Sequence, residues 1–420
     1  MMSRVFRLSI MMLVIAMIGA FVFNSSTWAA KRVFRLSVEA WMLKKFPIRE
    51  AAKRFEADHP DVKIEVLTKD IEEIAPFILE WSSGKTNEDL VLGPNPMKAT
   101  AFVAKDLIVD WGEWLTGDLS KEHWIEPFYE QAFIKGKAYC VPFMGEVEAL
   151  IGRRDFFQEA GLVDSTGRPK QPKDFDELYA FAKKLTKPQR DGLHINGEQT
   201  AMMRSYLGVL QALQGTIYGP DGKTIDFAGE GTRFFLTWWQ KIVKDGYCSI
   251  ATFTDHYAAR GAIKSGTTAL MLEPNSRWVE TEEAIGKEKV CLLAIPGSEQ
   301  NGSHCHVVGM VIPKASPNQD LAKQFAREQV MTRWFQEWSA TRFGKMPVLQ
   351  RNYEGLTDPG WKASLAAVKK AARYPNYRDY LKLEAIVVRE FQNCVRGKQS
   401  VDRTITNVMN EIKPLNLTIY

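Results

Sequence analysis

The chain has 420 residues, 45% of them apolar and 25% charged, with 55 basic against 50 acidic side chains. A chain of this size and composition buries a core and divides into two domains of the usual size, about 100 to 200 residues each, which excludes a disordered chain and a staple-dependent miniprotein. Both signs of charge are interspersed without a basic run, so a nucleic-acid partner is not expected.

Residues 1–29 carry Arg4 and Arg7, then an apolar stretch from Leu8 to Phe23, then Asn24, Ser25 and Ser26, ending in Thr27-Trp28-Ala29. That order is a secretory signal peptide. A cut after Ala29 leaves small residues where a signal peptidase inspects them, whereas a cut after Ala30 would put bulky Trp28 at the third position back. The unbroken apolar run is about 15 residues, short of the roughly 20 that span a bilayer. No cysteine follows it, so the lipid-modified export signal is missing. Loss of Arg4 and Arg7 leaves 53 basic against 50 acidic residues, a near-neutral protein expected in a periplasm.

A strand is expected from Phe34 to Val38, then a helix with Ile48, Ala51, Ala52 and Phe55 at helical spacing, stopped by Asp58-His59-Pro60. A second strand, Val62 to Leu67, leads to a helix through Ile74, Phe77, Ile78 and Trp81. A third, Asp89 to Leu92, runs into Gly93-Pro94-Asn95-Pro96. Strands alternating with helices imply an α/β fold with a parallel, doubly wound sheet and ligand loops at the carboxyl ends of its strands. After residue 145 the pattern repeats, richer in helix, at Phe175 to Lys184, Met202 to Leu213 and Phe234 to Val243. Trp238 and Trp239 fall inside the last of these, so at least one is core. Gly136 to Phe143 reads as an extended crossover, and Val307 to Pro313 as a strand able to run back. Chain crossing twice between halves makes a hinge.

Cys140, Cys248, Cys291, Cys305 and Cys394 are too sparse and odd a set for a disulfide framework. Cys291 and Cys305 flank a turn-rich stretch and could meet across a hairpin. His304-Cys305-His306 lacks a third and fourth ligand nearby, so a structural role is preferred to a metal site. No cofactor is implied.

Four stretches resemble one family. They are Ala51 to Pro60 with Val62 to Val66; Ala132 to Phe143 continuing to Asp155 to Leu162 and Pro172 to Leu178; Ile263 to Met271; and Ile312 to Asn318 leading to Ala322 and Phe325. In order and spacing they are similar to the extracellular solute-binding proteins of ATP-driven importers, in the group that includes maltose-binding protein. The chain departs at Cys140, where glycine or alanine is usual, and at Gly152-Arg153-Arg154, where an aromatic and asparagine are common. The resemblance implies a two-lobed periplasmic binding protein fold of type II, with lobes at 30–144 plus 310–355 and 145–309 plus 356–420. It implies a monomer that closes on a solute and presents it to the transmembrane subunits of a permease.

A sugar offers C–H patches that pack on aromatic rings and hydroxyl pairs that meet carboxylates, amides or guanidinium groups. Glu39 and Trp41 follow the first strand, Lys69 and Asp70 the second, and Asn95 the third. Glu146 and Glu148, two apart, face one side of an extended chain. The family's ligand-binding acid matches either one. Trp278 lies where relatives place a stacking tryptophan, and Tyr377, near Tyr374 and Tyr380, where the family has a late aromatic. Arg277 could meet a ligand carboxylate or Glu273. The expected function is capture of a sugar, oligosaccharide or polyol. A secreted glycoside-processing enzyme is the alternative, although no Gly-x-Ser-x-Gly, His-Glu-x-x-His or P-loop is present. Arg153, Arg154 and Arg277 keep an anionic polyol or acidic sugar open as cargo.

Overall fold

Strand β1 (Arg32–Val38) buries Phe34, Leu36 and Val38 completely, whereas β2 (Val62–Thr68) alternates buried Val62 and Ile64 with exposed Lys63 and Glu65. That contrast makes β1 a central strand and β2 an edge. The structure is a computed structural model and describes residues 31–417 apart from 72, 222–223, 252 and 373–376. The export signal at 1–29 and Tyr374 therefore lie outside the described residues.

The remaining strands are β3 (Leu90–Leu92), β4 (Phe133–Ile134), β5 (Lys137–Ala138), β6 (Val141–Arg153), β7 (His194–Ile195), β8 (Leu270–Pro274), β9 (Val290–Leu293), β10 (Cys305–Val311) and β11 (Met346–Pro347). One sheet runs β2-β1-β3-β10-β6-β8-β7, with β9 and β11 also pairing β6. β1 is parallel to β2 and β3, as expected, and β7 is parallel to β8. β10 is antiparallel to β3 and β6, so the sheet is mixed at its centre.

The crossing strand differs from its expected span. Lys135 and Gly136 adopt positive φ, 53° and 76°, and turn the chain into the β4–β5 hairpin, so the crossing starts only at Val141. β6 then continues for 13 residues, all of them buried, roughly 43 Å of extended chain. Its first half pairs β10 and β11 and its second half pairs β8 and β9.

Helices flank the sheet: α1 (Ala40–Lys45), α2 (Ile48–Asp58), α3 (Ala75–Ser82), α4 (Pro96–Val103), α5 (Arg154–Glu159), α6 (Phe175–Leu185), α7 (Gln199–Ala212), α8 (Glu230–Lys244), α9 (Ala258–Ser265), α10 (Ser276–Ile285), α11 (Arg333–Phe343), α12 (Pro359–Lys369) and α13 (Tyr380–Val395). Among the described residues none is long and apolar enough to cross a membrane. One apolar cluster gathers β1, β2, β3, β10 and aromatics from Trp111 to Phe128. A second gathers α6, α7, α8 and α13 and includes both Trp238 and Trp239. A smaller third lies under α3 and α4.

All five cysteines are free and buried. The expected meeting of Cys291 with Cys305 does not occur, because Cys291 is opposite Gly152 and Cys305 opposite Val147 on β6. Five residues of strand, about 17 Å, separate those positions, far beyond disulfide reach. Burial pushes the thiols of Cys248, Cys291 and Cys305 up to about 12.

Gly145, in the middle of β6, has no room for a side chain: a Cβ would lie 2.2 Å from Cζ of Phe128. Gly145→Ala should therefore lower stability by about 1–3 kcal/mol in urea melts, and adding Phe128→Leu should recover much of the loss. A Gly145→Ala protein as stable as its parent would contradict this packing.

Candidate functional site

Glu146 and Glu148 both point from β6 into the protein and both are buried, 2% and 1% exposed. An ionised carboxylate so placed needs partners, and sheet pairing supplies them to Glu146. His306 is its register partner on β10 and meets it at 2.7 Å. Lys345 immediately precedes β11, whose Met346 pairs with Gly145, and its ammonium lies 2.5 Å from the same oxygen. Ser276, at the start of α10, donates its hydroxyl to the other oxygen. Burial disfavours the charge more than any single neighbour favours it, yet Lys345 and His306 together hold the Glu146 carboxyl well below the usual range. Burial pushes Lys345 down to about 8 against the pull of Glu146. The Trp41 ring lies under Lys345, with the ammonium 5.6 Å from its centroid, and the indole N–H donates to Glu39 at the start of α1.

Further charges extend this centre into a belt. Arg277 donates to Glu280 at 2.7 Å, and Glu280 also meets Lys264 at 2.7 Å and Lys45 of α1 at 3.2 Å. In the other direction Glu148 faces Arg204 of α7 at 3.3 Å. Burial pushes Glu148 up to about 8, with Glu273 and Glu146 adding to the effect. Glu273 pairs with Arg260 at 3.3 Å, Arg260 touches His256 at 3.2 Å, and His256 meets Glu198 at 2.8 Å. Glu384 on α13 is pushed up to about 7, chiefly by burial, with a hydrogen bond from Gln199 and the fields of Arg204 and Lys98 opposing. Beside Lys98, Met97 on α4 is 6% exposed and packs into the second apolar cluster. Donors, acceptors and an indole face therefore converge, the groups that paired hydroxyls and C–H faces require.

Of the residues expected from sequence, the fold brings Glu39, Trp41, Glu146 and Arg277 together, with Glu148 next along the strand. Asn95 caps α4, its Oδ1 accepting from the Lys98 amide at 3.0 Å. Asp70 is exposed at the end of β2, while neighbouring Lys69 bonds Glu88 at 2.6 Å. Trp278 does not stand as a stacking platform: it is 4% exposed, 5.9 Å from Trp361 and packed over Gly360. The chain turns into α10 at Ser276, so the serine meets Glu146 and the tryptophan points into packing. Tyr377 is fully buried in the second apolar cluster. Arg153 holds Asp155 and the Ile263 carbonyl, and Arg154 the Val290 carbonyl. Among the described residues no three of His, Cys, Asp and Glu are grouped to hold a metal ion.

Lys345, Ser276, Arg204, Lys98 and Glu384 went unnoticed in the sequence. Arg204 and Lys98 carried a signal, each a cation inside a run of apolar and small residues that its helix buries.

The family model of the bacterial extracellular solute-binding proteins matches residues 50–351, and the chain belongs to that family. A mannitol-binding protein of Pseudomonas aeruginosa is 23% identical over 344 residues, covering 76% of this chain and 71% of the relative. Among solved structures, a solute-binding protein from Thermotoga lettingae bound with α-D-tagatose superposes with a TM-score of 0.79 at 17% identity, covering 93% of this chain and 100% of that one. The GacH receptor of Streptomyces glaucescens, solved unliganded and with acarbose, gives 0.78 at 16% identity, again covering 93% and 100%. These likenesses establish the two-lobed binding-protein fold.

Two outcomes test the belt. Glu146→Gln leaves Lys345 buried without its anion and should cost about 3–5 kcal/mol, whereas Glu146→Gln with Lys345→Met should be markedly less destabilised than the sum of the singles. Additive losses in urea melts would mean that the two do not act as a pair. Glu384, with a folded pKa of about 7 against about 4.3 unfolded, binds its proton more tightly when folded. Its contribution is fully present below the unfolded value and is lost as pH rises through the folded one. Glu384→Gln should therefore gain on its parent in urea midpoint from pH 5 to pH 8, and a constant difference would be inconsistent with the buried acid.

Proposed function

We propose that the chain captures a carbohydrate or polyol between two lobes, 30–144 with 310–355 and 145–309 with 356–420, and hands it to the transmembrane subunits of an ATP-driven importer. The observation that carries this reading is the Glu146 centre. A carboxylate, an ammonium, a hydroxyl and an indole face meet on the strand shared by both halves of the sheet. The names of relatives that bind mannitol, tagatose and acarbose support the same solute class. The protein is exported by residues 1–29, cut after Ala29, and acts outside the cytoplasm as a monomer without a nucleic-acid partner. Glu39, Trp41, Glu146, Glu148 and Arg277 are its solute contacts, joined by Lys345 and Ser276. A solute touching groups on both lobes shifts the population toward the closed form, since only a difference in affinity between the two forms moves that equilibrium.

Binding without turnover is favoured over glycoside hydrolysis. Glu146 and Glu148 project from one strand, so a glycosidic bond would lie to one side of both rather than between them. A neutral cargo is favoured because Arg153 and Arg154 are held in internal contacts and Arg277 is paired with Glu280.

Calorimetry against monosaccharides, oligosaccharides, uronates and polyols is expected to find a neutral ligand whose affinity is insensitive to ionic strength between roughly 50 and 500 mM. Trp41→Ala should weaken that affinity at least about tenfold, the loss expected when a ring face is removed. A flat response across the panel would overturn the reading. Hydrolysis of a bound oligosaccharide, abolished by Glu148→Gln, would replace it with an enzyme.

A further inference from the structure

A cavity of about 510 Å³ lies between the turn at 186–191, the segment 246–251 and one face of α9. Its size falls within the roughly 300–1,000 Å³ of ordinary small-molecule sites. It opens at the amino ends of β7 and β8, where Asp191 bridges Thr268, whereas Ser276 follows the carboxyl end of β8. Leu270 at the start of β8 pairs with Gly152, and Glu146 lies back along the same strand, roughly 20 Å away. α9 stands between the two places. Its Ala258, Ala262 and Ser265 line the cavity, while Arg260 on the opposite face meets Glu273. The cavity is therefore separate from the Glu146 centre.

Its walls carry acceptors whose own hydrogens are spent. Thr186 donates its hydroxyl to the Ala182 carbonyl at 2.8 Å, and Ser265 and Thr267 donate theirs to the Ala262 carbonyl at 3.1 and 3.3 Å. Each oxygen keeps lone pairs for an outside donor. Asp191 is half-buried. Burial raises its carboxyl and the Ser249 amide opposes, with no cation's field acting on it among the described residues. The cations of the same walls are engaged elsewhere. Arg190 gives its guanidinium to Glu159 at 2.8 Å and to the Leu185 carbonyl at 2.9 Å, and lies 3.9 Å from the Phe156 ring. Lys187 faces the same Glu159 at 3.7 Å from a half-exposed position. His194, at the start of β7, is buried and held below its usual range by that burial, so it adds a neutral ring. A carboxylate without a cation, set among oxygen lone pairs, suits a ligand that brings positive charge and N–H donors together.

We infer that this cavity takes a small aliphatic primary amine, its ammonium on Asp191 beside the Ser265 and Thr267 oxygens and its carbon chain along Ala258 and Ala262. A sugar fits less well, because among the described residues no Phe, Tyr or Trp ring lines the walls for its C–H faces to pack on. Every wall comes from residues 186–267, inside one proposed lobe. An occupant that touches one lobe has no differential affinity for open and closed forms and leaves that equilibrium unmoved. The inference stands whether or not the chain binds a carbohydrate.

Calorimetry in an amine-free buffer tests it with n-butylammonium, tetramethylammonium and n-butanol, each at millimolar concentration. Butylammonium is expected to bind, with an affinity that falls at least about threefold between roughly 50 and 500 mM salt, as a charge pair requires. Tetramethylammonium has the charge without an N–H, and butanol has a donor without the charge, so each should bind at least tenfold more weakly. Asp191→Asn should cost butylammonium tenfold or more. Ala262→Leu, which fills the cavity and leaves the acid in place, should do the same, with its thermal midpoint near that of the parent. Absence of butylammonium binding would overturn the inference. Tetramethylammonium binding within twofold of butylammonium would also overturn it, by assigning the heat to surface charge. Undiminished affinity in either folded variant would place the amine elsewhere and overturn it as well.

Discussion

A carboxylate withdrawn from water in the middle of the crossing strand is the constraint on which the rest of the arrangement depends. Glu146 is buried yet ionised, and an unpaired charge at that depth would cost several kcal/mol. Its partners are therefore obligatory, and they arrive from β10, from the residue before β11 and from the first turn of α10. Register on one side of β6, placement of β11 and entry into α10 are all tied to one side chain. Replacing such a cluster with apolar residues of similar volume is often neutral or stabilising. Stability alone therefore does not account for its presence in a well-packed centre.

Much of the architecture was legible because it rests on local periodicity. The apolar positions of β1, α2, β2 and α6 face where their spacing predicts. The extent of the crossing strand was not legible. An apolar run shows that a chain is buried but not which strands flank it, and the turn at Lys135-Gly136 moved its start. The site was half legible for the same reason. Acids after a strand can be read from sequence, whereas Ser276 and His306 reach Glu146 across 130 and 160 residues of chain. Trp278 misled because a tryptophan is conspicuous and a serine is not. Helical phase put the serine on the carboxylate and the tryptophan against Trp361. Tyr377 misled similarly, since a tyrosine in a loop before a helix serves a core as readily as a cleft.

The opposing ionisation tendencies along the belt follow from what each acid meets. Glu280 meets Arg277, Lys264 and Lys45, and Glu146 meets the Lys345 ammonium together with the His306 ring and the Ser276 hydroxyl, and both carboxyls are held well below the usual range. Glu148 has the fields of Arg204 and Arg277 against those of Glu273 and Glu146, and Glu384 has a Gln199 hydrogen bond and the fields of Arg204 and Lys98 against Glu198, so burial prevails and both are pushed up. Proton occupancy of the belt is therefore uneven, with the fixed negative charge nearest Trp41 and Lys345 and the neutralisable acids nearer α7 and α13. A neutral solute with many hydroxyls tolerates such a gradient because each hydroxyl can donate to one group and accept from the next.

The five free thiols bear on how a member of an extracellular family reaches its folded state. Once buried, with pKa values raised to about 12 at Cys248, Cys291 and Cys305, they carry almost no thiolate and are closed to exchange. Before burial nothing protects them, and an oxidising compartment offers partners for every pair. On the export proposed above, collapse of the two apolar clusters would compete with thiol oxidation. Slow-folding variants would be lost to wrong disulfides before they were lost to unfolding.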